Sequence, residues 1–252
     1  MIWFFMKNHY IEILNKIHIH DFYFNTIPMK TILLFMLIVT SLCTISAQMN
    51  EIQEFNNLLL RTQSASRSLE YEDIQGHPYS NKELIPGTIA FVSGNHIDSL
   101  PLRYNWYSHE MEFEHQGNIL SMPVTQNIDY ITIYGSKYVP FNYLKNINGY
   151  MIELYKGQYS LFRREDVRFV EAKPPQSGYD EYQPATFQWY RTQYIVFTGT
   201  GEIIELEMNK KKLPLQFPGY ESKIENYVED TKLNIKQEED LIRLIEMINS
   251  IQ

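Results

Sequence analysis

Glu110-Met111-Glu112-Phe113-Glu114-His115 alternates strictly between charged or polar side chains and large apolar ones. Successive side chains of a β-strand face opposite sides, so Met111 and Phe113 share one face. The pattern predicts a half-buried strand with Met111 and Phe113 in the core. It also predicts that Glu112 faces the solvent, since a register slip by one residue would bury charge.

Further segments with the composition of short strands lie on both sides of this one. Short β-prone runs alternate with Gly- and Asn-containing turns such as Gln116-Gly117-Asn118 and Thr198-Gly199-Thr200-Gly201. The predicted strands are residues 87–93, 100–107, 110–115, 129–134, 150–155, 159–163, 167–172, 192–198 and 202–208. Strands this short, with no helices between them, indicate a mainly β domain over residues 87–208. We expect an antiparallel meander, sandwich or barrel.

The two ends of this domain have helical periodicity. Residues 48–86 are expected to form an N-terminal helix and a linker, with an apolar stripe of Ile52, Phe55, Leu58 and Leu59. Residues 209–252 are expected to form a helical segment packed on the sheet, with helices over 218–231 and 236–250. Asn234 with Gln237 is a candidate cap for the last helix.

The apolar stripe of the last helix consists of Leu241, Leu244, Ile245 and Ile248. Such a stripe more often packs on its own sheet or on the preceding helix than on another protein. We therefore expect these four side chains to lie in the core.

Residues 29–47 have the pattern of a secretory signal peptide. Met29-Lys30 supplies a positive start, residues 31–42 an apolar run, and Ile45-Ser46-Ala47 a small-residue cleavage region before Gln48. Residues 1–28 are then an upstream extension from a misassigned start codon. We expect an exported protein that is periplasmic or associated with the outer membrane. Two alternatives are an uncleaved membrane anchor over residues 31–47 and lipidation at Cys43, although Leu42 stands where a lipidation motif needs a small residue.

Charge and cysteine content restrict the function further. Residues 1–47 hold three of the 22 Lys+Arg and two of the 30 Asp+Glu, so the remainder has a net charge of −9. This balance argues against nucleic acid and against an anionic membrane surface as partners. A membrane contact is expected only through the signal segment if it is uncleaved. Cys43 is the single cysteine, so the mature chain has no disulfide and no thiolate metal site.

No catalytic, metal or cofactor motif stands out. Four histidines follow residue 47, and two of them, His109 and His115, are about 20 Å apart along one strand, too far to share an ion. The alternating glutamates 110, 112 and 114 are typical of a solvated face. No serine lies in a Gly-x-Ser-x-Gly elbow. We assign no catalytic residue, no metal ligand and no cofactor.

Aromatic content is the one compositional excess, with 19 tyrosines in the chain. Most are expected in half-buried strands. An exposed set around the proline-rich loop 171–185 is the candidate binding surface, because such side chains stack on sugar rings or meet partner proteins. This set is Tyr179, Tyr182, Trp189 and Tyr190.

Pro101-Leu102-Arg103-Tyr104-Asn105 leading into Glu110-Met111-Glu112-Phe113 resembles a recurrent pattern in exported proteins of Bacteroidetes bacteria. The signal ending Ile45-Ser46-Ala47-Gln48 and the tail over residues 213–249 are similar to the same group. The resemblance implies an envelope location and implies no activity or site.

Together these observations predict a non-catalytic exported cell-envelope protein that binds or scaffolds, with an envelope protein or a glycan as partner. The alternative is a hydrolase, such as a glycan-directed one, whose carboxylates meet only in three dimensions, for example two glutamates with a tyrosine.

Overall fold

The computed structural model describes residues 29–61, 63–64, 74–122, 124–125, 127–144, 147–177 and 179–251. The chain divides into two compact units after Asn50, and the second, Glu51–Gln252, holds the sheet. The expected extension over residues 1–28 lies outside the described residues. No helix in the described part of the chain has the length and apolar character needed to span a bilayer.

The protein is mainly β, as predicted. The strands are β1 (Gln63–Ser64), β2 (Ile85–Phe91), β3 (His96–Asn105), β4 (Glu110–His115), β5 (Asn118–Met122), β6 (Ile128–Ile133), β7 (Ser136–Leu144), β8 (Ile147–Tyr155), β9 (Tyr159–Val170), β10 (Thr186–Thr198) and β11 (Ile203–Glu205). Among the described residues, the helices are α1 (Met29–Arg61), α2 (Glu221–Asp230), α3 (Glu238–Ser250) and a 3-10 turn, Pro214–Gln216.

All strands join one antiparallel sheet in the order β1-β5-β4-β3-β2-β6-β7-β8-β9-β10-β11. Two meanders, β2 to β5 and β6 to β11, therefore lie side by side and meet where β2 pairs with β6. The edge strands β1 and β11 are not paired with each other, so the sheet is open. Of the three predicted arrangements, the meander is the one observed.

The segment 74–80 links two distant strands at one end of the sheet. Tyr79 bridges Asn105 of β3 in antiparallel fashion, and Gln75 bridges Thr186 of β10 in parallel fashion. Backbone hydrogen bonds of 2.9 Å from Gln75 N to Ala185 O and from Phe187 N to Gln75 O hold the second contact. The start of β10 is therefore brought close to the end of β3.

The C-terminal helices cover one face of β9 to β11, as their periodicity predicted. Leu241, Leu244, Ile245 and Ile248 are fully buried and form one cluster with Leu161 of β9 and Val196 of β10. Phe162, which follows Leu161, and Ile195, which precedes Val196, belong to a smaller cluster with Phe141 and Met151. Because consecutive strand residues face opposite sides, this second cluster lies on the other face of the sheet.

A third cluster lies around β2 to β8 and includes Leu58 of α1, with Phe55 and Leu59 packed against it. Three of the four residues in the predicted N-terminal stripe are therefore in or against the core. Ile52 is exposed, so its predicted packing is wrong.

The register predicted for β4 is right for its apolar residues and wrong for Glu112. Met111 and Phe113 are fully buried, but Glu112 is also only 4% exposed. Arg103 of β3 forms an ion pair with it at 2.7 Å, and Asn105 Nδ2 donates to Glu112 Oε1 at 3.0 Å. These partners replace the water that a buried carboxylate loses.

Two further predictions need correction. The segments 159–163 and 167–172 are one strand, β9, and strands β5 and β7 were not predicted. The side chains of Asn234 and Gln237 do not cap α3, whose N-cap residue, Gln237, makes no side-chain capping bond. Instead Asp240, inside the helix, accepts a hydrogen bond from Asn234 N at 2.8 Å.

Candidate functional site

The outer half of the β9–β10 hairpin holds all four residues of the candidate binding surface. The strands pair from Thr198↔Tyr159 to Thr186↔Val170, and an isolated bridge between Lys173 and Gln183 continues the hairpin into the proline-rich loop. Tyr179 and Tyr182 lie on this loop, and Trp189 and Tyr190 lie on β10. All four are exposed, Tyr179 completely.

A β-bulge separates the two aromatic residues of β10. Trp189 pairs with Val167 and Arg191 pairs with Asp166, so Tyr190 is an extra residue with no partner on β9. A bulge of this kind bends the strand and redirects side chains. Both Trp189 and Tyr190 are exposed.

These two aromatic side chains have different neighbours. Trp189 Nε1 donates to Glu165 Oε2 at 3.1 Å, whereas the Tyr190 ring lies 5.5 Å from the guanidinium carbon of Arg191, which pairs with Asp166. Glu165 and Asp166 are consecutive on β9 and face opposite sides of it. The structure therefore places Trp189 and Tyr190 on opposite faces and does not assemble the four predicted residues into one site.

On the side of the hairpin with Trp189, polar side chains form a hydrogen-bonded network around Glu165. Thr192 Oγ1 donates to Glu165 Oε2 at 2.7 Å, the same oxygen that accepts from the Trp189 indole. The carboxylate thus fixes the orientation of an indole that is 62% exposed. A fixed, open aromatic ring loses little conformational entropy when a ligand stacks on it.

The loop of the hairpin borders an open concavity of about 640 Å³. Its lining is mainly polar and includes Gln75, Lys173, Gln176, Asp180, Tyr182 and Gln183. Amide and carboxylate groups beside one tyrosine ring provide hydrogen-bond donors and acceptors together with a stacking surface. Of the four predicted residues, Tyr182 is the one that lines this concavity.

Two carboxylates, of Glu165 and Glu238, contact the guanidinium group of Arg163 at the start of α3. Arg163 Nη1 donates to Glu238 Oε2 at 2.6 Å, and Arg163 Nε lies 3.4 Å from Glu165 Oε1. Tyr194 Oη donates to Glu238 at 3.4 Å, and burial raises the pKa of Tyr194 to about 12. Both carboxylates are thus paired with one guanidinium, and the tyrosine stays protonated at neutral pH.

Asp166, in the middle of β9, contacts three basic side chains. Its carboxylate lies 3.2 Å from His109 Nε2, 3.1 Å from Arg164 Nε and 3.0 Å from Arg191 Nε. Burial alone would raise the pKa of Asp166, but hydrogen bonds from His109 and Arg191 and the charge of Arg164 lower it well below its usual value. Asp166 is therefore ionised at neutral pH and cannot act as a general acid there.

His109 belongs to the turn between β3 and β4 and connects that turn to Asp166. It has a left-handed φ of 59°, which non-glycine residues adopt rarely. Its backbone lies against Gly149 of β8, where a Cβ would come 2.5 Å from the His109 carbonyl oxygen. Tyr104 Oη lies 3.5 Å from His109 Nδ1 and donates to Tyr150 O at 2.8 Å. Only glycine at 149 lets the turn come this close.

The sequence analysis missed the charged partners of the aromatic residues. Glu165 and Asp166 lie in the run Arg163-Arg164-Glu165-Asp166, which interrupts the apolar alternation of β9. Its last three residues fell in the gap between the predicted strands 159–163 and 167–172. Alternating opposite charges across one strand would have been the available signal.

Among the described residues, no group of three or more His, Cys, Asp or Glu side chains is placed to hold a metal ion. His109 and His115 lie in different surroundings, since the His115 ring packs 5.2 Å from that of Phe55. Comparison with protein-family models, curated proteins and solved structures finds no match for the chain.

Proposed function

We propose that the protein is a non-catalytic, exported cell-envelope protein that binds its ligand with the outer half of the β9–β10 hairpin. The main support for this proposal is the distribution of the exposed aromatic side chains. Within the described part of residues 51–252 these are Tyr107, Tyr134, Tyr179, Tyr182, Trp189 and Tyr190. Four are on this hairpin, and a fifth, Tyr107, packs edge-on against Phe187 near the start of β10, with ring centroids 5.4 Å apart.

Exposed aromatic side chains concentrated in one region are typical of binding surfaces. The hairpin also holds these groups ready for a ligand, since Trp189 is oriented by Glu165 and Tyr182 borders the concavity. Aromatic rings beside amides and carboxylates suit a glycan, and they equally suit an envelope protein.

Export is supported by the apolar segment that precedes the second unit. The side chains of residues 33–39 are all exposed in α1, from 42% for Val39 to 69% for Phe35. A run of exposed apolar side chains in this position fits a segment that is removed or that enters a membrane during export.

The test is binding of the purified protein to isolated cell-wall sacculi and to envelope polysaccharides in a sedimentation assay. We expect Trp189→Ala and Tyr182→Ala to weaken binding at least tenfold, as loss of a stacking side chain does. Tyr134→Ala is the matched control because Tyr134 is 89% exposed in the turn between β6 and β7, away from the hairpin. Equal binding by all three variants would refute the proposal.

The cluster of Glu165, Glu238 and Tyr194 favours a hydrolase as second candidate, since it brings two glutamates and a tyrosine together. Binding ranks first because both carboxylates are paired with Arg163. Chromogenic glycosides provide the test. Turnover that falls at least a hundredfold in both Glu165→Gln and Glu238→Gln would place the hydrolase first.

A further inference from the structure

The side of the hairpin with Tyr190 carries positive charge on a protein whose net charge is −8. Arg164, Arg168 and Arg191 are close to this side, and the carboxylates they meet are Asp166 and Glu205. Glu205 accepts its hydrogen bond from Gln193, at 2.6 Å, and lies 3.9 Å from Arg191. One positive charge is therefore left over in this cluster.

Two of the guanidinium groups flank the Tyr190 ring. The guanidinium carbons of Arg168 and Arg191 lie 5.6 Å and 5.5 Å from its centroid, within the range of cation–π attraction. The bulge places the ring at this position, since a regular strand would give residue 190 a partner on β9. The three side chains thus form one exposed patch of an aromatic ring and two cations.

Both arginines retain hydrogen-bond donors. Arg168 Nη2 donates to a neutral acceptor, Gln188 Oε1, at 3.4 Å, and among the described residues Arg168 has no carboxylate partner. Arg191 uses Nε for Asp166, and its Nη1 is too far from Glu205 for a hydrogen bond. Asp166 thereby fixes Arg191 at one end while its terminal nitrogens stay available.

We propose that Arg168, Tyr190 and Arg191 bind the acidic group of a glycan, a carboxylate or a phosphate carried on a sugar ring. This inference rests on the proposed function and names the ligand class for that hairpin. A guanidinium group pairs with either oxyanion through two parallel hydrogen bonds. The Tyr190 ring stacks on the sugar, and the positive charge of the patch selects acidic glycans over neutral ones.

The test compares three polymers in a direct binding assay: polygalacturonate, its methyl ester and phosphorylated mannan. We expect binding of at least one acidic polymer and at least tenfold weaker binding of the methyl ester, which has the same sugar ring without the charge. Binding falls as NaCl rises from 50 to 300 mM, because salt screens exposed charges. Binding of carboxylate alone, phosphate alone or both identifies the acidic group.

Variants separate this site from the fold. Arg168→Gln and Tyr190→Ala weaken acidic-polymer binding at least tenfold, while Lys210→Gln, which removes one exposed positive charge elsewhere, and Tyr134→Ala leave it unchanged. Unchanged melting temperatures show that the variants are folded. The inference is overturned if Arg168→Gln binds like the Lys210→Gln control, if the methyl ester binds equally well, or if no acidic polymer binds. If sacculus binding still depends on Trp189, the proposed function then stands without this inference. If the protein does not bind sacculi at all, both the proposed function and the inference are refuted.

Discussion

The amide of Asn249, near the end of α3, completes the hydrogen bonding of a strand. Its Oδ1 accepts from Tyr159 N and its Nδ2 donates to Tyr159 O, both at 2.9 Å. One side chain therefore satisfies both backbone groups of the first residue of β9 and ties the helix to the sheet. Gly157 makes room for it, since a Cβ there would lie 2.7 Å from Asn249 Oδ1.

Asn249→Ala should destabilise the protein by about 2 kcal/mol, because it leaves a backbone donor and acceptor of Tyr159 without a partner. Urea unfolding followed by circular dichroism gives the measurement. Glu246→Ala, an exposed change on the same helix, is the control and should stay within about 0.5 kcal/mol of wild type. Similar losses in the two variants would argue against the strand-capping role.

Glu112 and Glu114 offer a matched pair on one strand. Glu112 is buried with Arg103, whose guanidinium carbon also lies 3.7 Å from the centroid of the Tyr79 ring, whereas Glu114 is exposed. We expect Glu112→Ala to destabilise by roughly 3 to 5 kcal/mol, since it leaves a buried charge unpaired. Phe113→Ala should lose a similar amount through its cavity, about 3 to 5 kcal/mol.

Glu114→Ala should change the free energy of unfolding by less than about 0.5 kcal/mol. Chemical denaturation of the three variants provides the comparison. A small effect of Glu112→Ala would mean that this carboxylate is solvated, as the alternation pattern alone predicted.

At the level of elements, the turn between β3 and β4 is attached to β9 through the hydrogen bond between His109 and Asp166. The folded-state pKa of Asp166 is lowered, so its ionised form stabilises the fold at neutral pH. This contribution is complete above the ordinary aspartate pKa of about 3.9 and is lost as the pH falls through the lower folded-state pKa.

Asp166→Asn should therefore lose roughly 3 kcal/mol of stability at pH 7, with the difference from wild type shrinking below about pH 4. Urea unfolding at a series of pH values from 7 to 2.5 measures both effects. Asp98→Asn is the control, because Asp98 is exposed and pairs with an exposed histidine, and it should change stability by no more than about 1 kcal/mol. A difference that stays constant down to pH 2.5 would contradict the assigned role.

The strands themselves were predictable to different degrees. β4 has apolar residues at every second place and was predicted with its observed bounds, Glu110–His115. β9 carries four charged residues in succession, and their partners on β10, α3 and the turn at His109 are distant in sequence. The local sequence does not contain the partners of these four charged residues, and one strand was predicted as two.

The candidate site shows the same limit. Exposure of Trp189 and Tyr190 was predictable from their position beside a proline-rich loop. The position of Tyr190, without a partner on β9 and beside Arg168 and Arg191, depends on a bulge between Trp189 and Arg191, which is set by the register with β9. Register is a property of two strands together, and the sequence of one of them does not contain it.

For the whole molecule, we predict that the mature protein begins close to Gln48. The exposed apolar side chains of residues 33–39 fit a signal segment, and Ile45-Ser46-Ala47 supplies the small residues that a signal peptidase requires. Intact-mass measurement after expression of the full sequence in an exporting bacterial host is the direct check. A mass that includes Met1 or Met29 would contradict this prediction.

The strand order has a consequence for how the chain assembles. Eight of the ten neighbouring strand pairs join strands that follow one another in sequence. Most of the loops between them are short and close at small entropic cost, so we expect these hairpins to form early and the β2–β6 contact between the meanders to form late. Gly87 lies at that contact, where a Cβ would come 2.5 Å from Thr132 O. In this order of events, two preassembled halves dock across a gap that admits only a hydrogen atom at residue 87.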